Sequence, residues 1–380
     1  MKIAFRTDAS LQMGSGHVMR CLTLADALKA QGADCHFISR AHSGHLLEVI
    51  RQRGYKVNSL VAHAQYTQAA IKNIVKKASS PQQEPAHAAW LGSTWQTDAQ
   101  ETAAILASLQ PDWLVVDHYA LDQRWEETLA PHYRKLLVID DLADRPHRCD
   151  LLLNQNLGSQ PEHYAQLVPA RCRVLTSPHY ALLRPEFAAM RPYSLQRRQA
   201  QPALRQLLIT MGGVDQPNAT GKVLQALKTC ALPANCRITV VMGLTAPWLQ
   251  NVRELAAQMP RPTEVVVNVH DMAQRMADSD LAIGAAGSTS WERCCLGLPT
   301  LMVVLADNQR VIAIGLERAG AAIVLDQHNI DKFVGDLKNA ITKLMSNEIS
   351  LINLSRAASN VTNGSGTNLV ADQMLGKHAS

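Results

Sequence analysis

MKIAFRTDASLQMGSGHVMRCLTLADALKAQG, residues 1–32, decides how the rest of the chain is read. Lys2–Phe5 is a short apolar run that suits a buried strand. His17–Ala30 then sets Val18, Cys21, Leu22, Leu24, Ala25 and Leu28 on one side at helical spacing, and Gly32 supplies a C-terminal stop. Between the two lies Met13-Gly14-Ser15-Gly16-His17. Gly14 and Gly16 permit positive φ and close backbone approach, and the free N–H groups of the following helix favour an anion or a polar oxygen. Strand, glycine loop and helix in that order open an α/β domain, whose ligands bind where strands run into helices.

Outward from this stretch, Cys35–Ile38, Trp113–Val116 and Leu136–Ile139 read as further buried strands with helical patterns between them. That alternation implies a parallel sheet covered on both faces. It pauses between about Ala78 and Thr97, where SSPQQEPAHAAWLGSTWQ reads as a surface insertion or loop with no assigned function. A second pause, Pro178 to Pro202, contains RPEF, RPYS and LQRRQAQP and reads as an interdomain linker. Alternation then restarts with strands at Leu204–Thr210, Arg237–Val241, Glu264–Val267, Leu281–Ile283 and Thr300–Leu305. Helices are expected at Asn218–Lys228, Pro247–Gln258, Ser288–Leu296 and Asn308–Ala319. The expected organisation is an N-terminal domain over 1–180, a linker over 181–202 and a C-terminal domain over 203–380. The fold class is α/β, two Rossmann-like domains facing each other across a cleft.

Composition narrows the function classes. A length of 380 residues favours two domains, and 47% hydrophobic with 18% charged residues gives each half a core. The net charge of +5 comes from scattered Lys and Arg, which argues against nucleic acid as partner and suits an anionic small molecule. None of the eight cysteines forms a C-x-x-C pair, so they read as reduced thiols packed in the interior. The N-terminus lacks the apolar run of a signal peptide, and no stretch reaches the roughly 18 apolar residues of a membrane span. A cytoplasmic protein without membrane insertion is expected.

Five loops after strands could carry chemistry. In the first, neither a dinucleotide fingerprint nor a Walker loop is present, since Met19 stands where the third glycine would be. What remains is His17 on a glycine frame, with Asp8 upstream: a proton acceptor at a loop mouth, or a residue that packs the helix start. Asp117-His118-Tyr119 follows the WLVV strand as a site, or Asp117 caps the next helix. Asp140-Asp141 and Asn154-Gln155-Asn156 suit supporting roles, and no His or Cys cluster has metal-ligand spacing. Met211-Gly212-Gly213-Val214-Asp215 is a phosphate-approach loop or a tight packing turn. Gly284 to Glu292 is the strongest in the second half. Gly287 leaves space, Ser288 and Thr289 offer donors to a diphosphate, and Glu292 suits a ribose diol or merely complements the helix dipole. Asp307-Asn308-Gln309 opens another helix toward the same cleft.

Together these segments resemble one family, the UDP-sugar hydrolases of pseudaminic acid biosynthesis, which remove UDP from UDP-2,4-diacetamido-2,4,6-trideoxy-β-L-altropyranose. The matching segments are FRTDASLQMGSGHVMRCLTLADAL (Phe5–Leu28), LVVDHYALD (Leu114–Asp122), DDLADRPHRCDLLLNQN (Asp140–Asn156), YALLRPEF (Tyr180–Phe187), MGGVD (Met211–Asp215) and the Ala285–Glu292 loop. The first two are the specific ones. The resemblance implies a GT-B fold, with UDP held mainly by the C-terminal half and the sugar by the N-terminal half. It implies that His17 positions and activates the attacking water, that Tyr119 lies near the sugar and Glu292 near the ribose, and that neither metal nor cofactor is needed. Trp291 departs from the asparagine the family can carry there, and the 78–97 insertion is longer than in compact members.

The expected reaction is hydrolysis at the anomeric carbon with inversion, with water as co-substrate and a product used in flagellin or surface-polysaccharide glycosylation. UDP is a good leaving group, so one histidine can suffice where glycosidases use two carboxylates. Asp8 is a candidate to orient His17. The alternatives are a GT-B glycosyltransferase that moves the sugar to an acceptor and a non-catalytic nucleotide-sugar-binding protein.

Overall fold

The computed structural model describes residues 1–62, 84–200, 203–244, 246–325, 330–346 and 350–377, with the side chains of 308, 330 and 331 outside that description. The chain divides into two compact units, one comprising Met1–Leu182 with Thr367–Ser380 and the other Leu183–Gly366.

Unit 1 holds strands β1 (Lys2–Thr7), β2 (Asp34–Arg40), β3 (Lys56–Leu60), β4 (Trp113–Asp117), β5 (Lys135–Ile139), β6 (Leu151–Asn154) and β7 (Arg173–Thr176). They form a parallel seven-stranded sheet in the order β3-β2-β1-β4-β5-β6-β7. Among the described residues up to Leu182 its helices include α1 (Gly16–Ala30), α2 (Leu47–Gln52), α3 (Trp95–Leu109) and α4 (Gln123–Leu129). Strands β4, β5 and β6 are apolar runs because both sheet faces are covered. Ile3 and Phe5 enter one core with Val18, Leu22 and Leu137, while Ala4 between them enters the other with Leu114, Val116 and Trp125. Phe5 pairs in register with Phe37 and the rings stack at 4.9 Å.

Unit 2 holds α5 (Pro185–Ala200), β8 (Gln206–Thr210), α6 (Ala219–Leu227), β9 (Arg237–Met242), α7 (Leu249–Ala257), β10 (Thr263–Val267) and α8 (Met272–Asp278). It continues through β11 (Leu281–Ala285), α9 (Thr289–Cys295), β12 (Thr300–Val303), α10 (Arg310–Arg318), β13 (Ile323–Leu325), α11 (Ile330–Met345) and α12 (Leu351–Ser359). The six strands are parallel in the order β10-β9-β8-β11-β12-β13.

Three expectations change. The stretch read as a linker over 181–202 is mostly α5, a brace of unit 2. Pro185 takes the first helical position, where a missing N–H costs nothing. Ser194 donates to the Leu296 carbonyl at 2.7 Å, and buried Arg198 donates to the carbonyls of Met276 and Leu296. Burial pushes the Arg198 pKa down to about 9. The C-terminal domain does not run to 380, because α13 (Gly366–Leu375) returns to unit 1. There Val370, Ala371 and Met374 join the core and the Trp113 indole donates to the Met374 carbonyl at 3.0 Å. The insertion is not wholly a loop either. Residues 78–83 lie outside the described residues, but Ala88–Leu91 forms a tight 3-10 turn and α3 starts at Trp95, capped by the Thr94 hydroxyl.

Among the described residues no helix is long and apolar enough to cross a membrane.

Candidate active site

In each sheet the strand order reverses at one point, between β1 and β4 in unit 1 and between β8 and β11 in unit 2. Loops leaving neighbouring strands there go to opposite faces, which opens a crevice at the carboxyl edge. The His17 loop, the Asp117–Tyr119 loop, the Met211–Asp215 loop and the Gly284–Glu292 loop leave these four strands, whereas Asp140-Asp141, Asn154–Asn156 and Asp307–Gln309 follow β5, β6 and β12.

In unit 1, Thr7 at the end of β1 pairs in register with Asp117 at the end of β4. The loop after β1 doubles back on itself: Gly14 N–H donates to the Ser10 carbonyl at 2.8 Å, and the Ser10 hydroxyl accepts from the Met13 N–H at 3.0 Å. This return needs φ of +75° at Gly14, a conformation strained for any residue with a Cβ. Gly16 then starts α1, and His17 is its second residue. His17 Nδ1 lies 2.6 Å from Asp117 Oδ1. Burial alone would raise the Asp117 pKa, but the Arg20 charge and His17 hold it well below the usual carboxylate range. An ionised Asp117 accepts from Nδ1–H, so the imidazole lone pair resides on Nε2. Nε2 bonds no described residue and touches solvent. A histidine fixed this way can accept a proton from a bound water and be stabilised as imidazolium.

Asp117 is held in turn. Arg20 grips it in bidentate fashion at 2.7 Å on each oxygen, and the same guanidinium reaches Asp141 at 2.7 Å. Tyr119 donates its hydroxyl to Asp141 at 2.7 Å and meets the His17 ring edge-on at 4.6 Å. Burial, followed by the Asp141 charge, drives the Tyr119 pKa well up, so it remains a phenol. His17 and Arg20 are three residues apart on one helix and therefore share a face. That spacing was the signal for Arg20, which the loop-by-loop sequence reading passed over. Asp117 does not cap the next helix; Asp122 does, accepting from the Arg124 N–H.

Asp8 is a correction. It is fully buried, accepts from Arg6 at 2.6 Å, the Arg40 N–H at 2.7 Å and the Ser39 hydroxyl at 3.3 Å, and lies 3.3 Å from His118 Nε2. The carboxylate on His17 is Asp117, and Asp8 anchors the start of the loop. Beneath it Arg6 and Arg40 converge on buried Asp98, which also accepts from the Trp125 indole.

In unit 2, Gly212 has φ of +90° and Gly213 backs onto Gly243, where an added Cβ would fall 2.0 Å from the Gly213 carbonyl oxygen. The first N–H groups of α6 are taken by the chain itself, with Asp215 accepting from Ala219 and Thr220 and Asn218 from Gly221. This loop therefore offers Gly212 and Gly213 backbone rather than a free helix start. After β11, Gly287 has open space where a side chain would be. Ser288 precedes α9 without making a side-chain cap, and the Thr289 hydroxyl accepts from Arg293 at 3.3 Å. Arg293 is buried under the loop and donates to the Ala285 carbonyl at 2.7 Å; a Cβ at Gly284 would collide with it. Trp291 is buried and contributes to packing. Glu292 stays partly exposed, 3.8 Å from Arg184. Burial pushes its pKa up to about 7, against the pull of Arg184 and Arg293. Asn308 sits in the turn after β12, with its side chain outside the described residues.

Among the described residues no group of three or more His, Cys, Asp or Glu could hold a metal ion.

Two Rossmann-like units of this kind define the GT-B class of fold. The crystal structure of Acinetobacter baumannii MurG is similar over 99% of both chains with a TM-score of 0.68 and 16% identity, a likeness of fold. Residues 207–373 match the glycosyltransferase family 28 C-terminal domain. Along the sequence, the chain is 25% identical to the UDP-2,4-diacetamido-2,4,6-trideoxy-β-L-altropyranose hydrolase of Campylobacter jejuni, over 84% of this chain and 97% of that protein. It is 24% identical to an uncharacterised protein of Methanocaldococcus jannaschii over 82% of its length, while spanning 57% of that relative. These findings bear out the family resemblance read from the motifs.

Proposed function

We propose that the protein hydrolyses UDP-2,4-diacetamido-2,4,6-trideoxy-β-L-altropyranose, releasing UDP and the free sugar in pseudaminic acid biosynthesis. The observation that carries this reading is the His17–Asp117 pair, with an uncommitted Nε2 at the switch point of the unit 1 sheet. The similarity to the Campylobacter hydrolase over nearly its whole length supports the choice of substrate.

In this mechanism His17 Nε2 takes a proton from water as the water oxygen attacks the anomeric carbon on the face opposite UDP. The bond from that carbon to the β-phosphate oxygen breaks, and its electron pair leaves on UDP. The products are the inverted hemiacetal, UDP and one proton, which His17 returns to solvent. Asp117 stays ionised and stabilises the imidazolium. UDP is assigned to unit 2: the backbone at Gly212, Gly213 and Gly287 with the Ser288 and Thr289 hydroxyls for the diphosphate, and Glu292 with Asn308 for the nucleoside. Gly14 and Gly16 shape the loop that presents His17, and Tyr119 lines the sugar side.

The second reading is glycosyl transfer, which the family 28 domain and the MurG-like fold favour. Incubation with the UDP-sugar and no acceptor separates them. Stoichiometric UDP and free sugar support hydrolysis, whereas turnover only after an acceptor is added supports transfer. UDP binding without turnover in either case supports a binding protein.

A further inference from the structure

The end of the insertion does more than join α3 to the sheet. Its 3-10 turn is fixed from below by Leu91 in the core and from within by Trp90 N–H donating to the His87 carbonyl at 2.9 Å. Gly92, at φ of +67°, closes it against His42. The turn projects two half-buried rings onto the site. Trp90 stacks on Tyr119 with centroids 5.7 Å apart and 25° between planes, and His87 lies 4.4 Å from Trp90 and 5.5 Å from Tyr119. Tyr119 is the ring that meets His17. A contiguous aromatic cluster thus leads from the insertion to the proton acceptor, with buried Tyr119 as its base, and its one phenolic hydroxyl is already spent on Asp141.

We infer that His87 and Trp90 extend Tyr119 into a specificity wall that reads the methyl-bearing groups of the sugar, an acetamido or deoxy-sugar face rather than a hydroxylated one. The inference rests on the proposed reading that a nucleotide-linked sugar reaches His17. A methyl group placed on ring faces leaves water at a gain. A hydroxyl laid on a ring face loses its water without finding a partner there, since the indole N–H and the imidazole nitrogens point along the ring edges. The 84–94 segment therefore selects substrate without touching the chemistry.

The test uses the full chain carrying His17→Ala, so that the intact nucleotide sugar persists during calorimetry. Affinities are measured for UDP-2,4-diacetamido-2,4,6-trideoxy-β-L-altropyranose, for its counterpart with a free amino group at C4, and for UDP. Adding Trp90→Ala is expected to weaken the diacetamido sugar about tenfold and UDP less than twofold. The preference for the diacetamido over the amino sugar should shrink with it, and Trp90→Phe should restore most of the loss. Equal weakening of all three ligands, or no weakening of the sugar, overturns the wall. Should Trp90→Ala fail to fold, His87→Ala carries the same comparison. The parent reading fails separately, by wild-type protein releasing no UDP from the diacetamido sugar, and the affinity comparison still decides the wall.

Discussion

His17 and its neighbours divide the labour of one imidazole. Nδ1 is spent on Asp117, which fixes the tautomer, and Nε2 is left open, for water in the proposed mechanism. His17→Ala should lower kcat about 10²–10⁴-fold with the Kd for UDP unchanged, measured by UDP release and by calorimetry. Asp117→Asn should lower kcat by a similar factor, because an amide can present its oxygen or its NH₂ to the ring and no longer stabilises the imidazolium. A loss confined to KM would contradict both. Glu292 sets a pH dependence of the unliganded protein. Its carboxyl binds a proton more tightly folded, at about 7, than unfolded, at the ordinary 4.5. Its contribution to stability is thus fullest below 4.5 and is lost as pH rises through 7, by roughly 3 kcal/mol at most. Glu292→Gln should flatten this slope between pH 5 and 8 in urea titrations; an unchanged slope would show that Glu292 does not cause it.

At the scale of elements, two packing devices hold the loops. Asp98 on α3 ties Arg6 of β1, Arg40 of β2 and Trp125 of α4 into one buried network under the His17 loop. Asp98→Ala removes the buried carboxylate that Arg6 and Arg40 share, leaving Arg6 on Asp8 alone and Arg40 on Glu101, and should cost about 3–5 kcal/mol, read as a fall in the thermal midpoint of unit 1. Gly243→Ala should drive the Gly213 backbone away, costing about 1–3 kcal/mol and weakening UDP. The β1–loop–α1 start was legible because a buried strand, a glycine pair and an amphipathic helix agree on one answer. α5 was not, since Pro185 and Pro192 look like breakers unless the first is known to sit at a helix start. Strand β3, half-exposed and polar at Asn58 and Ser59, carries no apolar run to read. The Asp117–His17 contact joins residues a hundred apart; the sequence supplies the residue types, and only the β1–β4 register brings them together.

On the whole chain, the units are not consecutive blocks of sequence. The chain leaves unit 1 at Leu182, builds unit 2, and sends its last helix back. Truncation after Ser365 should remove Val370 and Met374 from the unit 1 core at about 1.5–3 kcal/mol each and free the Trp113 indole, detected as an earlier unfolding transition. The domain boundary read from the sequence ran to residue 380, because an amphipathic helix does not name its partner. The central claim is base-catalysed attack by water on the anomeric carbon, and proton NMR of the reaction without acceptor tests it most directly. Wild-type protein should give UDP with the inverted anomer of the free sugar as first product, and His17→Ala should give almost none. A first product of retained configuration, or full activity in folded His17→Ala, would contradict the account.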